Sequence, residues 1–145
     1  NNIMDNISVK QIANEITALA KESFEKSWDG NSKQANKAYR QCEKIKEKIA
    51  EDKTFLQELV KYTLSSDDIH ARRQGMIIGL STGIEKVSAL AELKREIDLQ
   101  NSEDITLKRI AFEAQTLKKS IDDNGYIKNF TNQSKYAIYD KDWFC

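Results

Sequence analysis

Ser65-Ser66-Asp67-Asp68-Ile69-His70-Ala71-Arg72-Arg73 returns 36 residues later as Asn101-Ser102-Glu103-Asp104-Ile105-Thr106-Leu107-Lys108-Arg109. Ser66, Asp68, Ile69 and Arg73 recur unchanged as Ser102, Asp104, Ile105 and Arg109, while Asp67/Glu103 and Arg72/Lys108 keep their charge. The match runs on through the apolar pairs Met76/Phe112 and Ile78/Ala114. Each copy reads as a turn that opens a helix, because short Ser and Asp side chains take up the first free N–H groups of a helix. A segment recurring at such a distance is one helix–turn–helix unit used twice, with an apolar face that only stacking can bury. Asp68 and Asp104 are expected to cap their own helices. Arg73 and Arg109, about one and a half turns on, are expected to reach a neighbouring acid. These four residues are therefore read as structural.

Working outward, apolar residues recur at helical spacing on both sides of the repeat. Residues 8–28 carry Val9, Ile12, Ala13, Ile16, Leu19, Ala20 and Phe24, behind a Ser8/Gln11 capping box. Residues 33–50 carry Ala35, Ala38, Tyr39, Cys42, Ile45 and Ile49. Residues 54–64 follow a second capping-box pattern, Thr54/Gln57. Residues 68–81 are apolar on more than one side, as in a helix set between neighbours, and Gly75 and Gly79 there suit a close helix approach. Gly83 marks a break before helices over 84–99 and 103–121, and Asn124-Gly125 supplies a stop. Residues 126–145 hold six of the twelve aromatics, and spacing leaves a short helix or a strand-like tail open there. The expected fold is all-α, an α/α superhelix of about six stacked helices. It would form a single domain over 1–145, with an atypical first pair at 8–50, repeated pairs at 54–81 and 84–121, and an aromatic tail covering the last pair.

The turn acid and second-helix Arg resemble the HEAT repeat, and the chain looks like a short bacterial HEAT-like domain over residues 33–121. That resemblance implies stacked helix pairs that bind partners through shape, with second helices lining the concave surface.

Composition narrows the function. There are 145 residues, no Pro and five Gly, so Gly-rich phosphate loops and turn-dense β-sandwiches are disfavoured. Charged residues make up 32%, but 23 basic and 23 acidic side chains cancel, so no overall field favours nucleic acid or an anionic membrane. No apolar run approaches the ~20 residues that span a bilayer, and no leader pattern opens the sequence. Two distant cysteines, Cys42 and Cys145, make no disulfide framework, so a reducing cytoplasm is expected. Abundant Lys, Ile and Asn point to an AT-rich bacterial genome. Asn6-Ile7-Ser8, Asn129-Phe130-Thr131 and Asn132-Gln133-Ser134 match a glycosylation pattern, read here as chance in an Asn-rich chain.

No nucleophile motif, phosphate loop or metal-ligand spacing is visible, so no cofactor and no catalytic residue is assigned. His70, the single histidine, is expected to be a solvated surface group. The carboxylate pairs Asp67-Asp68 and Asp122-Asp123 are read as turn and cap residues. What remains is surface. At ~100° per residue, Lys33, Lys37, Arg40, Lys44 and Lys48 fall on one face of the second helix. It is read either as a solvated face, with Glu43 three residues from Arg40 and Lys46 and Glu47 three from Lys44 for local pairing, or as a docking face for an acidic partner or phosphates. Lys108, Phe112 and Lys119 of the sixth helix share one side and are read as an extension of that face. The expected role is a non-catalytic protein-binding domain, with an immunity- or antitoxin-type toxin inhibitor as the narrower reading. A nucleic-acid binder using the same basic stripe is the alternative. Tyr139, Trp143 and Phe144 are read as a cover for the last pair or as a second contact surface.

Overall fold

The computed structural model describes residues 8–127 and 136–145. The acceptor-pattern asparagines and Phe130 lie outside them. The described residues form six α-helices and no strand: α1 (Val9–Trp28), α2 (Ser32–Ile49), α3 (Lys53–Leu64), α4 (Ile69–Thr82), α5 (Lys86–Asp98) and α6 (Ile105–Asn124), with a 3₁₀ turn at Leu99–Asn101. The fold is all-α. The chain divides into two compact units, Asn1–Gly75 and Met76–Cys145, and the division falls within α4 rather than in a linker.

In the first unit, α1 packs along α2 and α3. The reason is the spacing of the apolar residues. Ile12, Ala13, Ile16 and Phe24 share one side of α1, and Ala35, Ala38, Cys42 and Ile49 share one side of α2, all buried. Leu56, Leu59 and Val60 complete this core from α3. Burying a side chain such as Ile16, Ile49 or Leu59 contributes about 1.5–3 kcal/mol each. Ser8 Oγ accepts the Gln11 N–H at 3.0 Å, and Asn31 Oδ1 accepts that of Gln34 at 3.2 Å. The Thr54/Gln57 box does not form. Asp52, a stronger cap two residues earlier, accepts the Phe55 N–H at 3.1 Å and starts α3 at Lys53. Gly75 is needed where α4 meets α3, since a Cβ there would strike Thr63 Oγ1 and crowd Leu64.

In the second unit, α5 packs on α6 over Ala89, Leu93, Ile110, Ala111, Ala114 and Ile121. The break after α4 is longer than the sequence suggests. Gly83 and Glu85 both take positive φ (87° and 50°), so Ile84 stays outside α5, which begins at Lys86. The sixth helix likewise begins at Ile105, because Glu103 and Asp104 belong to its cap, and it ends at Asn124 with Gly125 left-handed (φ 79°). Residues 136–145 are neither helix nor strand and end in a turn over 141–144. Their contacts are specific. Tyr139 donates its hydroxyl to Leu80 O at 2.6 Å and its N–H to Gly125 O at 2.7 Å. Ala137 N–H reaches Ser81 O at 2.8 Å, and Tyr136 stacks on Tyr126. Trp143 Nε1 donates to Asp122 at 2.9 Å, and Lys94 and Lys118 lie over the Phe144 ring. Burial pushes the Tyr139 hydroxyl up to about 12.

The two repeat turns are closed alike. Ser66 Oγ accepts the Asp68 N–H and Ser102 Oγ the Asp104 N–H, both at 3.0 Å. Asp68 Oδ1 accepts the His70 N–H and Asp104 Oδ1 the Thr106 N–H, both at 2.8 Å. In the first copy Arg72 also reaches back to Ser66 O at 2.9 Å.

Candidate partner-binding surface

Lys33, Lys37, Arg40, Lys44 and Lys48 follow one another at steps of four, three, four and four residues along α2. Steps of that size keep a set of residues within roughly 80° of arc, and the row extends for about 22 Å at 1.5 Å per residue. All five side chains are exposed. The opposite side of α2 is the buried Ala35–Ala38–Cys42–Ile49 stripe, so core packing on α1 turns the cations outward. None of the five is in an ion pair among the described residues. Lysines elsewhere differ: Lys118 and Lys119 are each 2.9 Å from a carboxylate, Asp122 and Asp123, one turn on.

Of the two acids of α2, Glu43 is drawn away from the row, while Glu47 stays exposed at the row's edge. Glu43 Oε2 lies 2.7 Å from Lys46 Nζ, and Lys46 is only 2% exposed. Lys46 also donates to Gln74 Oε1 at 3.0 Å, while the Cys42 thiol lies 3.6 Å from Ile16 O and 3.7 Å from the same Gln74 oxygen. An inward Lys is stable only with such partners, since an unpaired buried ammonium costs several kcal/mol. Burial pushes the Cys42 thiol up, against the lowering influence of Lys46. Tyr39, 55% exposed, flanks the row rather than joining it, roughly 140° around the helix from its centre. Its hydroxyl is raised by partial burial and then by Glu43.

Lys108 and Phe112 lie on α6, in the second unit, both exposed (Phe112 60%), together with Ile105. Lys119 pairs with Asp123, and that hydrogen bond raises its pKa. The Asp122-Asp123 pair is not a cap: each carboxylate bonds a lysine one turn back on α6, and Asp122, lowered by Lys118 and then Trp143, also accepts the Trp143 indole. Asp68 and Asp104 cap as described, Arg73 is buried and Arg109 is half-buried.

His70 departs from its expected place. It is 8% exposed, with its ring 5.4 Å from that of Phe24 of α1. The cap at Asp68 fixes where α4 begins, but the ring that His70 meets belongs to α1, which a turn-adjacent histidine does not reveal by itself. Lys46, Glu92 and Glu96 are further buried charges, and the pattern did hold a signal for them. Lys46 lies four residues after Cys42 and three before Ile49, on the apolar arc. Glu92 and Glu96 alternate with Ala89 and Leu93 on the buried side of α5, and Arg95 anchors Glu92 at 2.7 Å.

No group of three or more His, Cys, Asp and Glu suited to a metal occurs among the described residues, and none of their helices is long and apolar enough to cross a membrane. The fold and its exposed charge define an all-α helical protein with a cationic helix face. No family profile, curated protein or solved structure matches the chain.

Proposed function

We propose that this chain is a non-catalytic protein-binding domain that docks an acidic segment of a partner protein along the α2 row. One observation carries the reading: five exposed cations stand in line with no ion pair among the described residues, while Glu43 is held inward by Lys46 and Glu47 alone of the α2 acids stays exposed at their edge. Unneutralised charge in register speeds encounter and selects a complementary surface. The HEAT-like stacking of helix pairs read in the sequence would give such a row a rigid base. The narrower form of the proposal is an immunity-type inhibitor in a bacterial cytoplasm that neutralises a toxin by covering an acidic surface. A protein fits the row better than a nucleic acid. The net charge is zero, and Tyr39 stands off to the side, where it offers no stacking platform between the cations.

The test is fluorescence anisotropy with a labelled 15-residue poly-glutamate peptide and with duplex DNA of similar charge. The expected result is peptide binding that weakens with salt and falls by about tenfold or more in Lys37→Glu/Arg40→Glu/Lys44→Glu, with helicity unchanged. Equal binding by that variant, or none by the wild type at low salt, removes the proposal. Tighter binding of the duplex transfers the row to nucleic acid.

A further inference from the structure

We propose that the packing of His70 against Phe24 is an acid-sensitive latch between α1 and the start of α4. His70 is the second residue of α4, its own N–H held by Asp68 Oδ1 at 2.8 Å, so its place in the first turn is fixed. The ring sits against Phe24, itself 6% exposed, with centroids 5.4 Å apart at a tilt of 58°. A neutral imidazole suits that contact. An imidazolium is less suited to the place, because burial would strip its hydration and it would lie at the positive end of the α4 dipole.

The charged groups around the ring come from both helices. On α4, Asp68 favours the protonated form and Arg73 opposes it; on α1, Glu25 favours it and Lys21 opposes it. Two favour the charged ring and two oppose it, and burial is the largest influence, holding the ring below its usual value. The sign follows. Below the ordinary histidine value of about 6.5, an opened state binds more protons at this position than the closed one. Acidification therefore favours opening, from about pH 6.5 down to the lowered value of the packed ring, and contributes nothing further below it.

The chain carries its own reporter. The Cys42 thiol is buried and faces both elements that the latch joins, Ile16 O on α1 and Gln74 Oε1 on α4. Cys145 is exposed and serves as the reference thiol, so the ratio of the two labelling rates cancels the pH dependence of thiol chemistry.

The experiment is peptide-resolved alkylation of the full chain between pH 7.5 and 5.5, read as the Cys42/Cys145 ratio. Alongside it, an NMR titration follows the imidazole signal, which is unambiguous because His70 is the only histidine. The expected result is a ratio that rises on acidification by no more than about tenfold per pH unit, the limit for one proton. His70→Gln and His70→Phe should each flatten the rise, and the imidazole midpoint should lie below 6.5. If one variant is fully labelled already at pH 7.5, the other supplies the comparison. A flat wild-type ratio, a rise that persists in both variants, or an imidazole midpoint at or above 6.5 overturns the latch.

Discussion

The two copies of the repeat share a turn but not a burial. Ser66–Asp68 and Ser102–Asp104 close on the same backbone groups at the same distances. Past the turns the helices diverge. Met76 in α4 is fully buried, whereas its counterpart Phe112 in α6 is 60% exposed. His70 is packed on a ring, while its counterpart Thr106 is exposed, and Gly75, pressed against α3, corresponds to Ala111. A cap depends on three or four neighbouring residues, so it is copied with the sequence. Burial depends on which other elements arrive, so it is not.

That contrast predicts unequal effects from equivalent substitutions. The largest difference is expected at the Met76/Phe112 pair. Met76→Ala should cost about 2–5 kcal/mol from lost burial and the cavity left behind, while Phe112→Ala should stay within about 0.5 kcal/mol, measured by urea denaturation. Equal costs would mean that α6 is covered as α4 is. Next comes Gly75→Ala, expected to destabilise by about 1–3 kcal/mol because the new methyl meets Thr63 and Leu64, despite the better helix propensity of Ala. The reverse change at the matching position, Ala111→Gly, should cost about 1–2 kcal/mol, through lost helix propensity together with one buried methyl. The smallest difference is expected at the caps. Asp68→Ala and Asp104→Ala should each cost about 0.5–2 kcal/mol, and the two values should agree more closely than any other pair. A cap effect in only one copy would break the likeness of the two turns.

The tail offers a further check, away from the repeat. Tyr139→Phe removes the hydroxyl that donates to Leu80 O and should cost about 0.5–1.5 kcal/mol. The same tyrosine should resist ionisation in an ultraviolet pH titration until about pH 12.

The helices were legible because their causes are local. Apolar spacing at three and four residues, Ser8, Asp68, Asp104 and the stop at Gly125 all act within one turn, and all take the roles they suggest. Thr54 misled because a better cap stood two residues ahead. Ile84 misled because one glycine was read as the whole break, while Glu85 also turns left-handed. The row on α2 was readable for the same reason as the core: one periodicity sorts both faces. Lys46 was the exception that periodicity could have caught, since it lies on the apolar arc, where Glu43 and Gln74 meet its ammonium. Gln74, like the ring that meets His70, comes from another helix, and no local pattern announces it.

The claim that everything functional depends on is that α2 presents its cations to a partner. The most direct measurement is a backbone amide NMR titration of the full chain with an acidic 15-residue peptide at low salt. The account predicts shift changes concentrated at residues 33–48, strongest at Lys37, Arg40 and Lys44, and absent with a basic peptide. Changes centred instead on Ile105, Lys108 and Phe112, or no changes at all, would contradict it.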